Sequence, residues 1–517
     1  MKFGEIMGEN ETTKYDAVII GAGLGGLTCG SILAKNGFKT LIIEQHSIPG
    51  GYCTSFERKG FVFDAAVHFS ERLGEGGTFY QILKDLGVEK GIEAYKIDPL
   101  YRVFFGDESF SIPADLNEYI TMLSKKFPKE EKGISELFET IKRLKEETEK
   151  LQTPLHIWNK MLVPLKYPLI FKYYKKTFAE MLADFIKDAK LRSIISAGWP
   201  YIGLPPSTVS AIQMAGYLYS AHFEGHYYPK GGAQVLANTL VKAHRKYGGE
   251  LQLGTEVTKI LVENNKATGV ETAKGNKISA KYVVCNADAR QTFLNLIGSD
   301  KLYSSFLNRL KRMEPSISFF QVWLGVDMNL RDTGIIEYEI LCYPSYDLDY
   351  AYNSCLQGKF EEGFGICTPT LCDPGLAPEN KHIISLIYPI PYDYKENWET
   401  ENGKRGSSYK KLKNEAMHRL IKTAERIIPG LSEHIMLSEA ATPLTLERYT
   451  WNYKGAGYGW ASTPDQSGTS RLPPKTPIKN LYLAGHWTTS GGGTITVALS
   501  GRNTAEMIIR DHGSSPP

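Results

Sequence analysis

Gly21, Gly23 and Gly26 stand in the spacing G-x-G-x-x-G, directly after an apolar run from Asp16 to Ile20 and directly before a helix-compatible stretch that reaches Lys35. Glycines so placed serve phosphate chemistry. The first permits a tight turn, the second lets the backbone approach a pyrophosphate, and the third lets helix and strand pack closely. Ala22 and Gly25 belong to the same loop, and the helix start offers unpaired N–H groups at the positive end of a dipole. Glu44 ends the next apolar run, where a carboxylate accepts hydrogen bonds from a ribose hydroxyl. Loop, helix and carboxylate together predict a bound dinucleotide.

A second set of glycines indicates which one. Gly50 and Gly51 remove side chains where a long cofactor would run on past its pyrophosphate. Near the other end of the chain, "NLYLAGHWTTSGGGTITVALSG" (480–501) begins as an apolar strand and becomes glycine-rich where a helix should start. Residues 485–494 fit a second surface of N–H donors, at the far end of an extended FAD. An NAD enzyme needs neither feature, so FAD is the expected cofactor.

The elements that must position these residues are legible around them. "YDAVIIGAGLGGLTCGSILAKNGFKTLIIEQ" (15–45) reads as strand, helix to Lys35, Gly37, then strand from Thr40 to Ile43, a βαβ unit. Leu137, Ile141, Leu144 and Leu151 recur at helical intervals among charges, and 155–225 reads as mainly helical. Strand patterns return at 249–285, with turn signals at Glu263–Lys266 and Lys274–Asn276 that suggest antiparallel pairing. A mixed region, 301–473, holds "ISFFQVWLGVD" and a charged helix near 408–428. The closing strand and helix match the opening unit in composition. The expected fold class is therefore α/β, a Rossmann-like FAD-binding domain (1–95, 226–300 and 474–517) interleaved with an α+β substrate domain (96–225 and 301–473) whose helical part, about 133–220, is a lid or membrane-facing layer.

Composition excludes several classes. A chain of 517 residues implies two or three domains. Net charge of +3 provides no general field for nucleic acid, and no nucleic-acid partner or metal is expected. The seven cysteines form no CxxC pair and read as reduced thiols, with Cys29 and Cys53 as small buried residues. "MKFGEIMGENETTKY" lacks the apolar core of a signal peptide, and no run of about 18 apolar residues suggests a spanning helix. The expected location is cytoplasmic, either soluble or peripheral on the inner face of a membrane.

Five segments together resemble the FAD-dependent family of phytoene desaturases, carotenoid cis–trans isomerases and retinol saturases, with the amine-oxidase-like flavoprotein architecture. They are "VIIGAGLGGLTCGSILAKNGFKTLIIEQ", "PGGYCTSFERKGFVFDAAVHF", "YYPKGGAQVLANTLVKAHRKYGGELQLGTEVTKI", "CDPGLAPENKH" and "NLYLAGHWTTSGGGTITVALSGRNTA", and they extend over nearly the whole chain. The resemblance implies that Val257 and its neighbours contact the adenine side, and that Asn286 to Asp288 form the turn where the chain leaves the flavin domain. It further implies that Gly485 and His486 lie along the cofactor, and that Gly493, Thr494 and Ile495 present backbone N–H groups to the flavin's pyrimidine edge. Two departures stand out. Tyr52 follows the glycine pair where amine oxidases usually carry arginine, and "GHWTTSGGG" replaces the "GTHPGAG"-like ending of many bacterial phytoene desaturases. The first argues against an amine oxidase, and the second leans toward the isomerase and saturase-like branch.

No second dinucleotide motif is present, since "GAGYG" (455–459) lacks the flanking strand and helix. Electrons are therefore expected to pass between flavin and substrate and then to or from a quinone, oxygen or a redox protein. A flavin can exchange a hydride at N5 with a CH–CH or C=C unit, which allows desaturation, saturation or redox-neutral isomerisation of a hydrophobic polyisoprenoid such as a carotenoid or retinoid. His68, in "FDAAVHFS", is the candidate catalytic proton relay. Residues 155–182 combine Trp158, Leu165, Leu169, Ile170 and Phe171 with Lys160, Lys166, Lys172, Lys175 and Lys176, a basic amphipathic stretch suited to peripheral membrane contact or to capping a lipid channel. Two alternatives remain: a flavin amine oxidase, and a non-catalytic prenyl-binding chaperone resembling the GDP dissociation inhibitors.

Overall fold

The computed structural model describes residues 14–151 and 163–513. The chain opens on β1 (Lys14–Ile20), passes through α1 (Leu24–Lys35) and returns as β2 (Thr40–Ile43), parallel to β1 from Ala17 opposite Thr40 to Ile20 opposite Ile43. Ala17, Val18 and Ile19 are wholly buried, because a parallel strand covered on both faces must be apolar throughout. Gly37, at φ +84°, turns the chain out of α1 where a side chain would be strained.

β1 lies between β2 and Lys277–Cys285, with Glu250–Gln252 beyond β2 and the strands Lys266–Thr272 and Val257–Glu263 on the other side. The closing strand Leu481–Leu483 runs parallel to Lys277–Cys285, with Val283 opposite Leu481. The two ends of the sequence therefore meet in one sheet. The expected antiparallel pairing holds for 257–279, where Asn264 and Asn265 both adopt positive φ in the turn. Glu250–Gln252 differs: it runs parallel to β2, because the helix Gln234–Lys246 precedes it as a crossover and carries the chain back to the same end of the sheet.

A second sheet runs in the order Ile435–Ala441, Ser318–Val326, His382–Ile390, Phe364–Cys367, Glu339–Tyr343, Tyr101–Phe105 and Glu108–Ile112. Ser318–Val326 is buried along its whole length, as a strand with neighbours on both sides and cover on both faces requires. The helix Glu131–Leu151 turns Leu137, Ile141 and Leu144 into a core shared with Ala211–Tyr219. Cys29, Cys53 and the other five cysteines are unpaired, and burial raises the thiols of Cys29 and Cys53 well above their ordinary range. Among the described residues no helix is long and apolar enough to cross a membrane.

Candidate cofactor and active site

Gly21 makes the turn out of β1 at φ +94°. Gly23 caps α1 in extended conformation, with no side chain bonded to the first turn, so those N–H groups are left for a ligand. A Cβ on Gly26 would lie 2.2 Å from the Gly21 carbonyl oxygen; this glycine is what lets helix and strand close on each other. The Glu44 carboxylate accepts the Ala22 N–H and the His46 N–H, both at 2.8 Å, which fixes it at the mouth of the loop with lone pairs to spare.

From there a long cleft runs through the molecule. Glu44, Thr255 and Val257 line it where the Thr255 N–H donates to the Glu44 carbonyl at 2.9 Å. Gly21, Gly23, Gly25, Gly50 and Gly51 line its middle, where Gly23 and Gly50 form a backbone bridge. His68, Glu71, Gly485, His486, Gly493 and Thr494 line the far part, where the hydroxyls of Ser70 and Thr494 meet at 2.9 Å. Three more residues of the expected site stand just behind this wall. The Ala22 amide is taken by Glu44, Gly26 closes helix on strand as its spacing predicts, and the Ile495 side chain packs in the core, which concerns its side chain and not its backbone N–H.

The closing glycines divide in the same way. Gly485 and Gly493 face the cleft, whereas a Cβ on Gly491 would lie 2.6 Å from Arg471 Nη1 and one on Gly492 would lie 2.9 Å from Tyr458. Gly501 packs α1 and the closing helix together, since its Cβ would sit 2.2 Å from the Gly25 carbonyl oxygen. Close packing of protein on protein, as well as room for a ligand, therefore accounts for the composition of this motif. The "GAGYG" glycines serve the same end: Cβ atoms on Gly455, Gly457 and Gly459 would each lie 2.5 Å from Pro443, Phe319 and His486 respectively.

Asn286, expected only in the turn where the chain leaves the flavin domain, also joins the two loops. Asn286 follows the strand Lys277–Cys285, its amide donates to Ile20 at 2.8 Å, and its side chain reaches the Gly21 carbonyl at 3.4 Å. Sequence reasoning missed Asn452. Its Oδ1 accepts from Trp487 Nε1 at 2.9 Å and contacts His486 Nε2 at 3.1 Å. Burial, with Arg471 nearby, pushes His486 down to about 3, so it stays neutral, with the Nε2 hydrogen pointing at Asn452. Arg471 itself is fully buried and donates to the Gln466 and Trp460 carbonyls, both at 2.7 Å, and to Ser462 at 2.9 Å. Burial lowers it to about 10, and among the described residues no carboxylate pairs with it.

Tyr52, in the position noted above, donates to the Ala456 carbonyl at 3.0 Å and packs near Phe319, Leu446 and Tyr458. His68 lines the cleft. Nδ1 lies 3.2 Å from the Ala66 carbonyl and Nε2 lies 3.2 Å from Glu339, a carboxylate of the second sheet that is 3% exposed. Burial opposes protonation of His68, but Glu339, the Ala66 carbonyl and Asp64 outweigh it and raise the imidazole above its usual value. Cys367 joins this pair, the three donor atoms lying within 4.8 Å of one another. That is metal-ligand spacing, although His68 Nε2 and the Glu339 carboxylate already lie against each other at 3.2 Å.

Uncapped N–H groups, a carboxylate beside them and a glycine-lined path to a second helix start fit an extended FAD, in which Glu44 would hold the ribose and the α1 start the phosphates. Fold and cleft define a FAD-dependent oxidoreductase scaffold. The chain belongs to the flavin containing amine oxidoreductase family, whose model matches residues 24–509, and its cofactor is FAD. It is similar to the chloroplastic prolycopene isomerase of Daucus carota, 30% identical, with 98% of this chain and 82% of that protein covered. It is also similar to the all-trans-retinol 13,14-reductase of Rattus norvegicus, 26% identical over 91% of this chain and 82% of that protein. Among solved structures, putrescine oxidase bound to putrescine shares the fold at a TM-score of 0.65 and 14% identity, covering 96% of this chain and all of that one.

Proposed function

We propose that this flavoenzyme acts on the C=C or CH–CH bonds of a hydrophobic polyisoprenoid, carotenoid-like or retinoid-like. The observation that carries the reading is the wall facing the glycine loops, formed by Phe69, Tyr201, Phe319, Ile387, Leu446 and Tyr458. An apolar, aromatic wall binds a polyene by burial and excludes water, while offering few partners to a charged substrate. Similarity to a prolycopene isomerase and a retinol reductase supports the same substrate class. Bound FAD supplies two-electron hydride exchange at N5. The chain's own part is to hold the target bond against that wall and to manage the accompanying proton.

Electrons pass to or from an external quinone, oxygen or redox protein in this reading, since no second dinucleotide loop is present in the sequence. Leu165, Phe171 and Tyr174 are exposed beside Lys166 and Lys175, and we assign this face to peripheral contact with an anionic bilayer. Ile170 and Tyr173 turn into the core, and Asp184 pairs with Lys172 at 2.8 Å and Lys176 at 3.7 Å, which narrows the basic surface expected from the sequence. Trp158 and Lys160 lie outside the described residues.

Anaerobic incubation of the holoprotein with candidate polyenes, following the flavin spectrum, tests the reading. Bleaching means desaturation, reoxidation of reduced flavin means saturation, and a changed isomer without flavin turnover means isomerisation. A broad polyene panel that alters neither flavin nor polyene overturns it.

A further inference from the structure

Among the described residues two carboxyls on the cleft wall have no partner: Glu256, beside Thr255 and Val257 at the Glu44 end, and Glu71, in the far part. Glu71 ends the short strand Ser70–Glu71, pairs opposite His226, and lines the cleft. Among the described residues no hydrogen bond or ion pair occupies its carboxyl. Its neighbour Arg72 is committed elsewhere, to Glu224 and, at 3.2 Å, to Ser220 Oγ. Glu71 Oε2 would lie 3.6 Å from a Cβ on Gly493, immediately before the closing helix Thr494–Gly513. It therefore stands beside the helix start that frames the far part of the cleft.

The other titratable groups of that part are spent. His68 has Nδ1 on the Ala66 carbonyl and Nε2 facing the Glu339 carboxylate, both at 3.2 Å. His486 contacts Asn452 and is held neutral. The Tyr458 hydroxyl donates to the Pro200 carbonyl at 2.9 Å, and burial raises Tyr201 far beyond a useful range. We propose that Glu71 is the catalytic group that takes the substrate's proton in desaturation and returns it in saturation.

This step rests on the function proposed above, and it balances. In the oxidising direction one C–H bond leaves as hydride to the flavin, the neighbouring C–H gives its proton to the Glu71 carboxylate, and a C=C bond forms. In the reducing direction the C=C bond would become a single bond, one carbon taking a hydride supplied by bound reduced FAD and the other the proton of the Glu71 carboxyl. Burial, with Glu224 nearby, raises Glu71 above the ordinary carboxylate range against the pull of Arg72, as an acid working near neutrality needs. The other groups around it are His226, held neutral by burial, and the Tyr217 and Tyr458 phenols.

The test compares holoenzyme with Glu71→Gln and Glu71→Asp, using whichever polyene turns over the wild-type flavin. Flavin content and polyene binding are measured first, and then the anaerobic rate of flavin reduction or reoxidation across pH. Glu71→Gln should keep FAD and polyene binding, lose roughly 100-fold or more in rate, and lose the pH dependence of a single carboxyl. Glu71→Asp should regain part of the rate with a shifted pH midpoint. A Glu71→Gln enzyme within about threefold of wild type, with the same pH profile, overturns the assignment while leaving the polyene reading intact. A wild-type enzyme that alters neither its flavin nor any polyene overturns that reading and this assignment with it, whereas a changed isomer without flavin turnover overturns this assignment alone.

Discussion

Gly25 and Gly485 touch across the molecule: a Cβ on Gly25 would lie 3.0 Å from the Cα of Gly485 and 2.6 Å from Asn286 Oδ1, and one on Gly485 would meet the same oxygen at 2.6 Å. The first glycine loop and the last are therefore one structure, clasped around Asn286. Replacing either by alanine forces the loops apart, and Gly485, at φ +89°, adds backbone strain. Gly25→Ala and Gly485→Ala should each lose about 1–3 kcal/mol of stability and much of their bound flavin. Thermal unfolding and the flavin-to-protein absorbance ratio check both effects.

Glu44 holds two backbone amides at 2.8 Å with its two oxygens. Glu44→Gln must turn an NH2 group toward one of these donors. Hydrogen bonds to charged groups contribute about 1.5–3 kcal/mol, so FAD affinity should fall about tenfold to a hundredfold. Fluorescence titration of the apoprotein with FAD measures it; unchanged affinity would remove Glu44 from the cofactor site.

Acid should destabilise the fold. Burial lowers His222 and His244 to about 4 and His226 and His486 to about 3, against about 6.5 in an unfolded chain. Between those values the unfolded chain binds more protons than the folded one, so stability falls as pH drops from about 6.5 toward 4, by up to about 1.4 kcal/mol per group per pH unit. Asp288, raised to about 6 by burial, works in the opposite direction, as do Asp64, His68, Glu71 and Glu224, which are also raised, and together they offset part of the histidines' effect. Denaturant unfolding of the holoprotein at several pH values should show falling stability over this window; a flat profile would contradict the buried, neutral state of these histidines.

Much of this was legible in advance, and the reason is locality. β1, α1 and β2, and Glu44 at the strand end, are declared by neighbouring residues whose apolar periods and glycine spacing act within one βαβ unit. The closing motif was legible as a ligand-facing helix start, but Gly491 and Gly492 are small because Arg471 and Tyr458 press on them, which no local pattern displays. Glu339, and the clasp that Asn286 makes on the first loop, were hidden for the same reason, since each acts on a segment far away in sequence. Glu71 reads as a surface carboxylate in "HFSERLG"; only pairing with His226–Pro229 draws it into the cleft.

Arg471 sets a fixed positive charge behind Gly491, near His486, with no carboxylate partner among the described residues. Such a charge favours the anionic form of a reduced flavin. Arg471→Met should lower the flavin potential, each lost 1.4 kcal/mol or so corresponding to about 30 mV for a two-electron couple, and Arg471→Lys should retain most of it. Spectroelectrochemical titration of the holoproteins decides; equal potentials in both variants and wild type would leave Arg471 a purely structural role.

The central claim is that the aromatic wall and the glycine-lined cleft bring a polyene to a flavin. The direct measurement is anaerobic stopped-flow of the holoprotein against two matched panels, polyisoprenoid polyenes and amines, with product isomers analysed in parallel. The account predicts that at least one polyene is desaturated, saturated or isomerised, and that amines leave the flavin oxidised. Bleaching by an amine, with peroxide formed on admitting air and no change to any polyene, would contradict it.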